Sequence, residues 1–184
     1  MKFLNPTPIF SVHVFDSYVS EWKQKGKEIL SLVDFDNKDA ARDEELNYTD
    51  HNIYGIEKDK KVTCPYRKPL LDILSPALNE FKENVYHYDR IVGPWCQRYL
   101  AGDYHSVHDH GAHGYSAVFY AKINPDVHPS TLFTSPFPNH TGTVGSIAPK
   151  VREGDLIIFP AFLLHTAPPH KSDEDRIVFS FNLP

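Results

Sequence analysis

The chain has 184 residues, 41% hydrophobic and 23% charged, which suits one globular domain and excludes a disordered or fibrous protein. Its 19 Lys and Arg against 24 Asp and Glu leave a net charge of −5, so there is no electrostatic footprint for nucleic acid or an anionic membrane. No apolar run is long enough to span a bilayer, Met1 to Pro6 lack the apolar core of a secretory leader, and Cys64 and Cys96 are too few for a disulfide framework. The expectation is a cytoplasmic protein with neither nucleic acid nor membrane among its partners.

In chain order, residues 9–15 (IFSVHVF) alternate and read as a first strand. Asp16 or Ser17 can cap a helix running to about Val33, with Val19, Trp22, Ile29, Leu30 and Val33 as its apolar stripe. Residues 34–61 are polar and charged, anchored by Tyr48, Ile53, Tyr54 and Ile56, and read as a long excursion. A second helix is expected between Pro69 and Tyr86, with a restart at Ser75-Pro76, where proline suits a first helical position. Residues 1–90 are thus a helical support, not a separate domain.

After Tyr86 short segments rich in aromatic and β-branched residues alternate with turn signals: 91–100, 115–122, 130–134, 143–147, 155–159 and 176–183. That spacing predicts a mainly β sandwich or barrel over residues 91–184, braced by the two helices in a single 1–184 unit. Fifteen prolines against nine glycines add fixed turns.

Four of the 11 histidines, His105, His108, His110 and His113, fall within nine residues. On an extended segment His108 and His110 share a face while Asp109 takes the other, and two imidazoles at i and i+2 can chelate a borderline metal. Two surface histidines look the same, so the pair needs company. His165 follows the apolar run Gly154–Pro160, where a buried imidazole needs a hydrogen-bond or metal partner. Arg176 opens the strand RIVFSFN, on which Arg176, Val178, Ser180 and Asn182 share one face. An arginine on so apolar a strand calls for an anion, and its planar fork suits a carboxylate. His105 and His113 read as rim or surface. Residues 124–146, with His128, Pro129, Pro136, Pro138 and His140, read as a loop over the site.

Taken in order, HDHGAHGYSAVFY, GDLIIFPAFLLH and RIVFSFN resemble the iron(II)/2-oxoglutarate-dependent dioxygenases, most closely the small 2OG-Fe(II) oxygenases of bacteria and their viruses. The resemblance covers residues 91–184 and implies a double-stranded β-helix, or jelly roll. It implies Fe(II), 2-oxoglutarate and O2 as cofactor and cosubstrates, and hydroxylation of a C–H bond with release of succinate and CO2. His108 and His165 match the family's two histidine ligands, and Arg176 its anchor for the distal carboxylate of 2-oxoglutarate. Gln97, Tyr99 and Tyr120 stand where relatives place polar groups toward the cosubstrate. Small oxygenases of this kind often pair, which implies a homodimer.

The sequence departs from the family at His110, where the usual facial triad has a carboxylate. Either His110 is the third ligand and the site is one negative charge short, or the adjacent Asp109 takes that place. Two other readings stay open. A cupin also presents H-x-H and a distal histidine, but Gly114 and Tyr115 stand where its glutamate belongs, and Arg176 has no role there. A non-catalytic scaffold binding nickel or zinc would need only the three histidines. The substrate is undetermined: a protein side chain, an amino acid, a nucleobase and a small metabolite all suit the metal core.

Overall fold

The computed structural model describes residues 2–37, 39–41, 45–51, 53 and 64–184. In chain order the elements are β1 (Asn5–Ile9), β2 (Val12–Tyr18), α1 (Trp22–Ser31), β3 (Tyr48–Thr49), α2 (Arg67–Asn84), β4 (Val92–Tyr99), β5 (His105–His108), β6 (Tyr115–Lys122), β7 (Leu132–Pro138), β8 (Val144–Ile147), β9 (Asp155–Pro160), β10 (His165–Ala167) and β11 (Arg176–Leu183). A seven-stranded sheet runs β1-β2-β9-β6-β11-β4-β3, and a four-stranded sheet runs β5-β10-β7-β8. Pairing is antiparallel throughout these ladders, with β11 seated between β6 and β4. This is the expected mainly β architecture with two helices outside it.

The alternation along β11 sets the layers. Ile177, Phe179 and Phe181 point to one side of the large sheet, where they join Trp22, Leu70, Leu74 and Phe81 of the helices in one core. Val178 points to the other side, into a second core with Tyr99, Tyr120 and Phe159, closed by Phe133 of the small sheet. Phe179 is 0% exposed and its ring lies 4.9 Å from that of Tyr66. Truncating it leaves a cavity at the hinge between sheet and helices. Phe179→Ala is expected to cost about 3–5 kcal/mol, read as a lower midpoint of urea unfolding at unchanged slope.

The helices are fixed by particular contacts. The Trp22 indole N–H donates to the Ala121 carbonyl at 2.9 Å, and its ring meets Phe119 edge-on at 4.8 Å. Gly26 makes room for that indole, since a Cβ there would sit 2.7 Å from Trp22 Cε2. α2 does not restart at Pro76 as expected but runs through it. The missing N–H of Pro76 would have bonded the Asp72 carbonyl, and Ser75 Oγ donates to that carbonyl instead at 2.8 Å.

The N-terminal boundaries also differ from expectation. The first strand is a hairpin: β1, carrying Pro6 and Pro8 at the sheet edge, turns at Phe10 and Ser11 into β2. Asp16 caps no helix. It sits within β2, where its carboxylate accepts from Thr7 Oγ1 (3.1 Å) and Asn5 Nδ2 (3.2 Å) of β1. β2 continues to Tyr18 because it pairs with β9, and the helix begins only at Trp22. Of the anchors of the excursion, Tyr48 and Ile53 are buried as expected, while Tyr54 and Ile56 lie outside the described residues. No helix among the described residues is long and apolar enough to cross a membrane.

Candidate functional site

The two sheets open on a cleft between β4, β6 and β11 on one wall and β5 and β10 on the other. Register brings the histidines together, since His108 of β5 pairs directly with His165 of β10. His110 stands just past the end of β5, where its backbone N–H donates to the Ala161 carbonyl at 2.8 Å. One ring nitrogen from each of His108, His110 and His165 lies within 4.8 Å of the others, a group that could hold a metal ion.

Their hydrogen bonds choose which nitrogen faces inward. His108 Nδ1–H donates to the Ser106 carbonyl (2.7 Å) and His165 Nδ1–H to the Leu163 carbonyl (2.8 Å). Both rings therefore keep Nε2 as an unprotonated donor atom, the second-partner arrangement of ligating histidines. Burial, reinforced by the neighbouring imidazoles, lowers the pKa of His110 to about 4 and that of His165 to about 3, so both are neutral at pH 7. The alternative ligand is turned away: Asp109 Oδ1 accepts the N–H of Gly111 at 2.9 Å, closing a local turn. Gly111 and Gly114 both have positive φ in that turn, and a Cβ on Gly114 would lie 2.5 Å from the Leu183 carbonyl oxygen.

Arg176 opens the deep end of the cleft. It is only 2% exposed, and burial lowers its pKa. Nη1 donates to the Pro129 carbonyl at 2.7 Å, and the guanidinium lies over the Tyr99 ring, 4.3 Å from its centroid. Nε and Nη2 are buried and, among the described residues, meet no acceptor. A buried cation with two unspent N–H groups is costly unless an anion completes it. On the same wall, Tyr120 O–H donates to Thr131 Oγ1 at 2.8 Å, and Thr131 N–H donates to the Tyr120 hydroxyl oxygen at 3.2 Å. Burial raises the pKa of both Tyr99 and Tyr120, so both remain phenols.

Gln97 lies midway, its Oε1 accepting from Ser180 Oγ at 2.8 Å, and its Nε2 contacts His105 Nδ1 at 3.4 Å. His105 is therefore a cleft residue, with its ring centroid 4.1 Å from that of His108. Sequence reading placed it at the rim because β5 was not visible as a strand. His113 is exposed, in keeping with the surface reading. The expected loop over the site is not there: of residues 124–146 only Thr131 lines the cleft. The rest forms the β7–β8 hairpin, on which Phe137 is 74% exposed, while His128 is buried beside His170 with ring centroids 4.4 Å apart.

A two-sheet β sandwich with a three-histidine cleft and a buried arginine at its base has the donors to hold a metal ion and a carboxylate. A family model described as "Putative 2OG-Fe(II) oxygenase" matches residues 93–182. Over that stretch the chain is similar to the 2OG-Fe(II) oxygenases. No curated protein matches it in sequence. Among solved structures, HygX from Streptomyces hygroscopicus, determined with nickel, 2-oxoglutarate and hygromycin B bound, is 15% identical over 92% of this chain and 81% of its own, with a TM-score of 0.60. The non-heme alpha-ketoglutarate-dependent carbocyclase SnoK from nogalamycin biosynthesis is 11% identical over 89% of this chain and 73% of its own, at a TM-score of 0.58. The chain spans 64% of the length of a Pseudomonas putida prolyl-4-hydroxylase, with 14% identity over 67% of this chain and a TM-score of 0.46.

The donor set fits the cofactors of those oxygenases. Three imidazoles suit iron(II), and the two unspent nitrogens of Arg176, Nε and Nη2, suit one carboxylate of 2-oxoglutarate.

Proposed function

We propose that this protein is an iron(II)- and 2-oxoglutarate-dependent dioxygenase that hydroxylates a C–H bond, with His108, His110 and His165 as the metal ligands. The observation that carries this reading is Arg176, buried with Nε and Nη2 unpaired in the same cleft as the three histidines. A cupin or a plain metal scaffold leaves that guanidinium without a role.

Bound iron(II) with O2 supplies the oxidation that couples decarboxylation of 2-oxoglutarate to substrate hydroxylation, releasing succinate and CO2. The chain's own residues do the rest. Arg176 receives the distal carboxylate through its paired N–H groups, while Pro129 and the Tyr99 ring hold the guanidinium in place. Tyr120, its hydroxyl spent on Thr131, walls the same end with its ring, and Gln97, oriented by Ser180, borders the middle of the cleft. Val178, Val118 and Phe159 give this stretch apolar walls that exclude water from the reaction. Asp109 stays in its turn and takes no part. Cysteine usage too sparse for a disulfide framework supports a cytoplasmic location.

The test is consumption of 2-oxoglutarate. With iron(II) and air, the wild type is expected to form succinate and CO2 in equal amounts even without substrate, at a slow uncoupled rate. Absence of both products from protein that binds iron and 2-oxoglutarate would overturn the reading.

A further inference from the structure

The cleft has a second polar pole. β11 presents Arg176, Val178, Ser180 and Asn182 to it, and six residues of strand set Asn182 about 20 Å from Arg176. The carboxyl carbons of 2-oxoglutarate are joined by four C–C bonds of about 1.5 Å each, so they lie at most about 6 Å apart. A cosubstrate anchored at Arg176 ends well short of Asn182. The histidines lie between: Gln97, cross-strand from Val178, contacts His105, which stacks against His108.

Asn182 is held ready to donate. Ser116 Oγ donates to Asn182 Oδ1 at 2.8 Å, which turns the amide NH2 away from Ser116. Among the described residues those two N–H groups meet no acceptor. Ser116 pairs in turn with Phe159, whose ring lies 4.7 Å from that of His165, so this pole adjoins the metal group. Its other walls are Trp95, 5% exposed, and Val118. Arg176 is the one Lys, Arg, Asp or Glu among the described residues that line the cleft. The Asn182 end therefore offers neutral donors beside an aromatic wall, and its own side chains carry no charge.

We propose that Asn182 and Trp95 form the substrate subsite, and that it takes a neutral carbonyl acceptor, the carboxamide or peptide C=O of a substrate whose apolar part lies against Trp95. The side chains at this end offer a carboxylate no cation, whereas a neutral C=O gains a hydrogen bond from the Asn182 NH2. The assignment rests on the dioxygenase reading for its meaning, but its geometry stands apart from Arg176.

The test uses 15N-labelled, zinc-loaded protein and three probes in turn: N-methylacetamide, acetate and 2-oxoglutarate. N-methylacetamide is expected to move the Asn182 side-chain NH2 and Trp95 indole N–H signals saturably. Acetate and 2-oxoglutarate should move the Arg176 guanidinium signals and leave Asn182 unmoved. Asn182→Asp keeps the acceptor for Ser116 and removes the donors. It should weaken N-methylacetamide at least tenfold while 2-oxoglutarate affinity stays within twofold. Should that variant not fold, the wild-type pattern decides alone. An Asn182 signal indifferent to N-methylacetamide, or moved equally by acetate, overturns the subsite. Failure of 2-oxoglutarate to move Arg176, with the Asn182 response intact, overturns the dioxygenase reading and leaves the subsite standing.

Discussion

Arg176→Ala is expected to weaken 2-oxoglutarate binding by about 30- to 5,000-fold, since truncating one partner of a buried, hydrogen-bonded charge pair costs about 2–5 kcal/mol. Isothermal titration of the metal-loaded protein measures it directly. Arg176→Lys should fall between, because an ammonium keeps the charge but not the fork that matches a carboxylate. Stability is expected to move the opposite way. Without cosubstrate the wild type buries a guanidinium with Nε and Nη2 unpaired. Replacing it by the similarly shaped Arg176→Met removes that cost, so the variant is expected to be at least as stable as wild type in the absence of 2-oxoglutarate. Adding 2-oxoglutarate should then raise the melting temperature of the wild type and not of the variant. A variant that melts well below wild type without ligand would make Arg176 a structural residue, held by Pro129 and Tyr99 for packing alone.

His165→Ala should abolish stable metal binding. His165 is 5% exposed, its orientation is fixed by the Leu163 carbonyl, and its ring centroid lies 4.3 Å from that of His108 and 5.1 Å from that of His110. Losing one of three donors is expected to cost more than the roughly 10–100-fold that removing a mere outer partner of a ligand does. Metal content after gel filtration, read by atomic absorption, gives the result. Asp109→Ala is the matching control and should retain metal at the wild-type level, because its carboxylate is spent on Gly111. Retention of metal by His165→Ala with loss in Asp109→Ala would redraw the ligand set.

How far the sequence could be read depended on whether the signal was local. The alternation of RIVFSFN placed Arg176 and Asn182 on the cleft side and Phe179 in the helix-side core, and both placements hold. Strands β4, β6, β9 and β11 carry enough apolar residues for their period to be visible. β5, β10 and β3 do not: they are four, three and two residues long, and pairing across the sheets makes them strands. That is why His105 read as rim. Pro6 and Pro8 hid β1, since proline argues against a strand everywhere except at an edge. Asp16 looked like a helix cap because its partners, Asn5 and Thr7, become neighbours only once that hairpin has formed. The grouping of His108, His110 and His165 came with the family resemblance, but the choice between His110 and Asp109 did not, for it depends on the turn at Gly111.

The most direct test of the central claim is the visible absorption of anaerobic protein carrying iron(II) as 2-oxoglutarate is added. A charge-transfer band is expected in the wild type and in Asp109→Ala, and a weakened one in Arg176→Ala and His110→Ala. Wild-type protein with iron demonstrably bound and no band on saturation with 2-oxoglutarate would contradict the account.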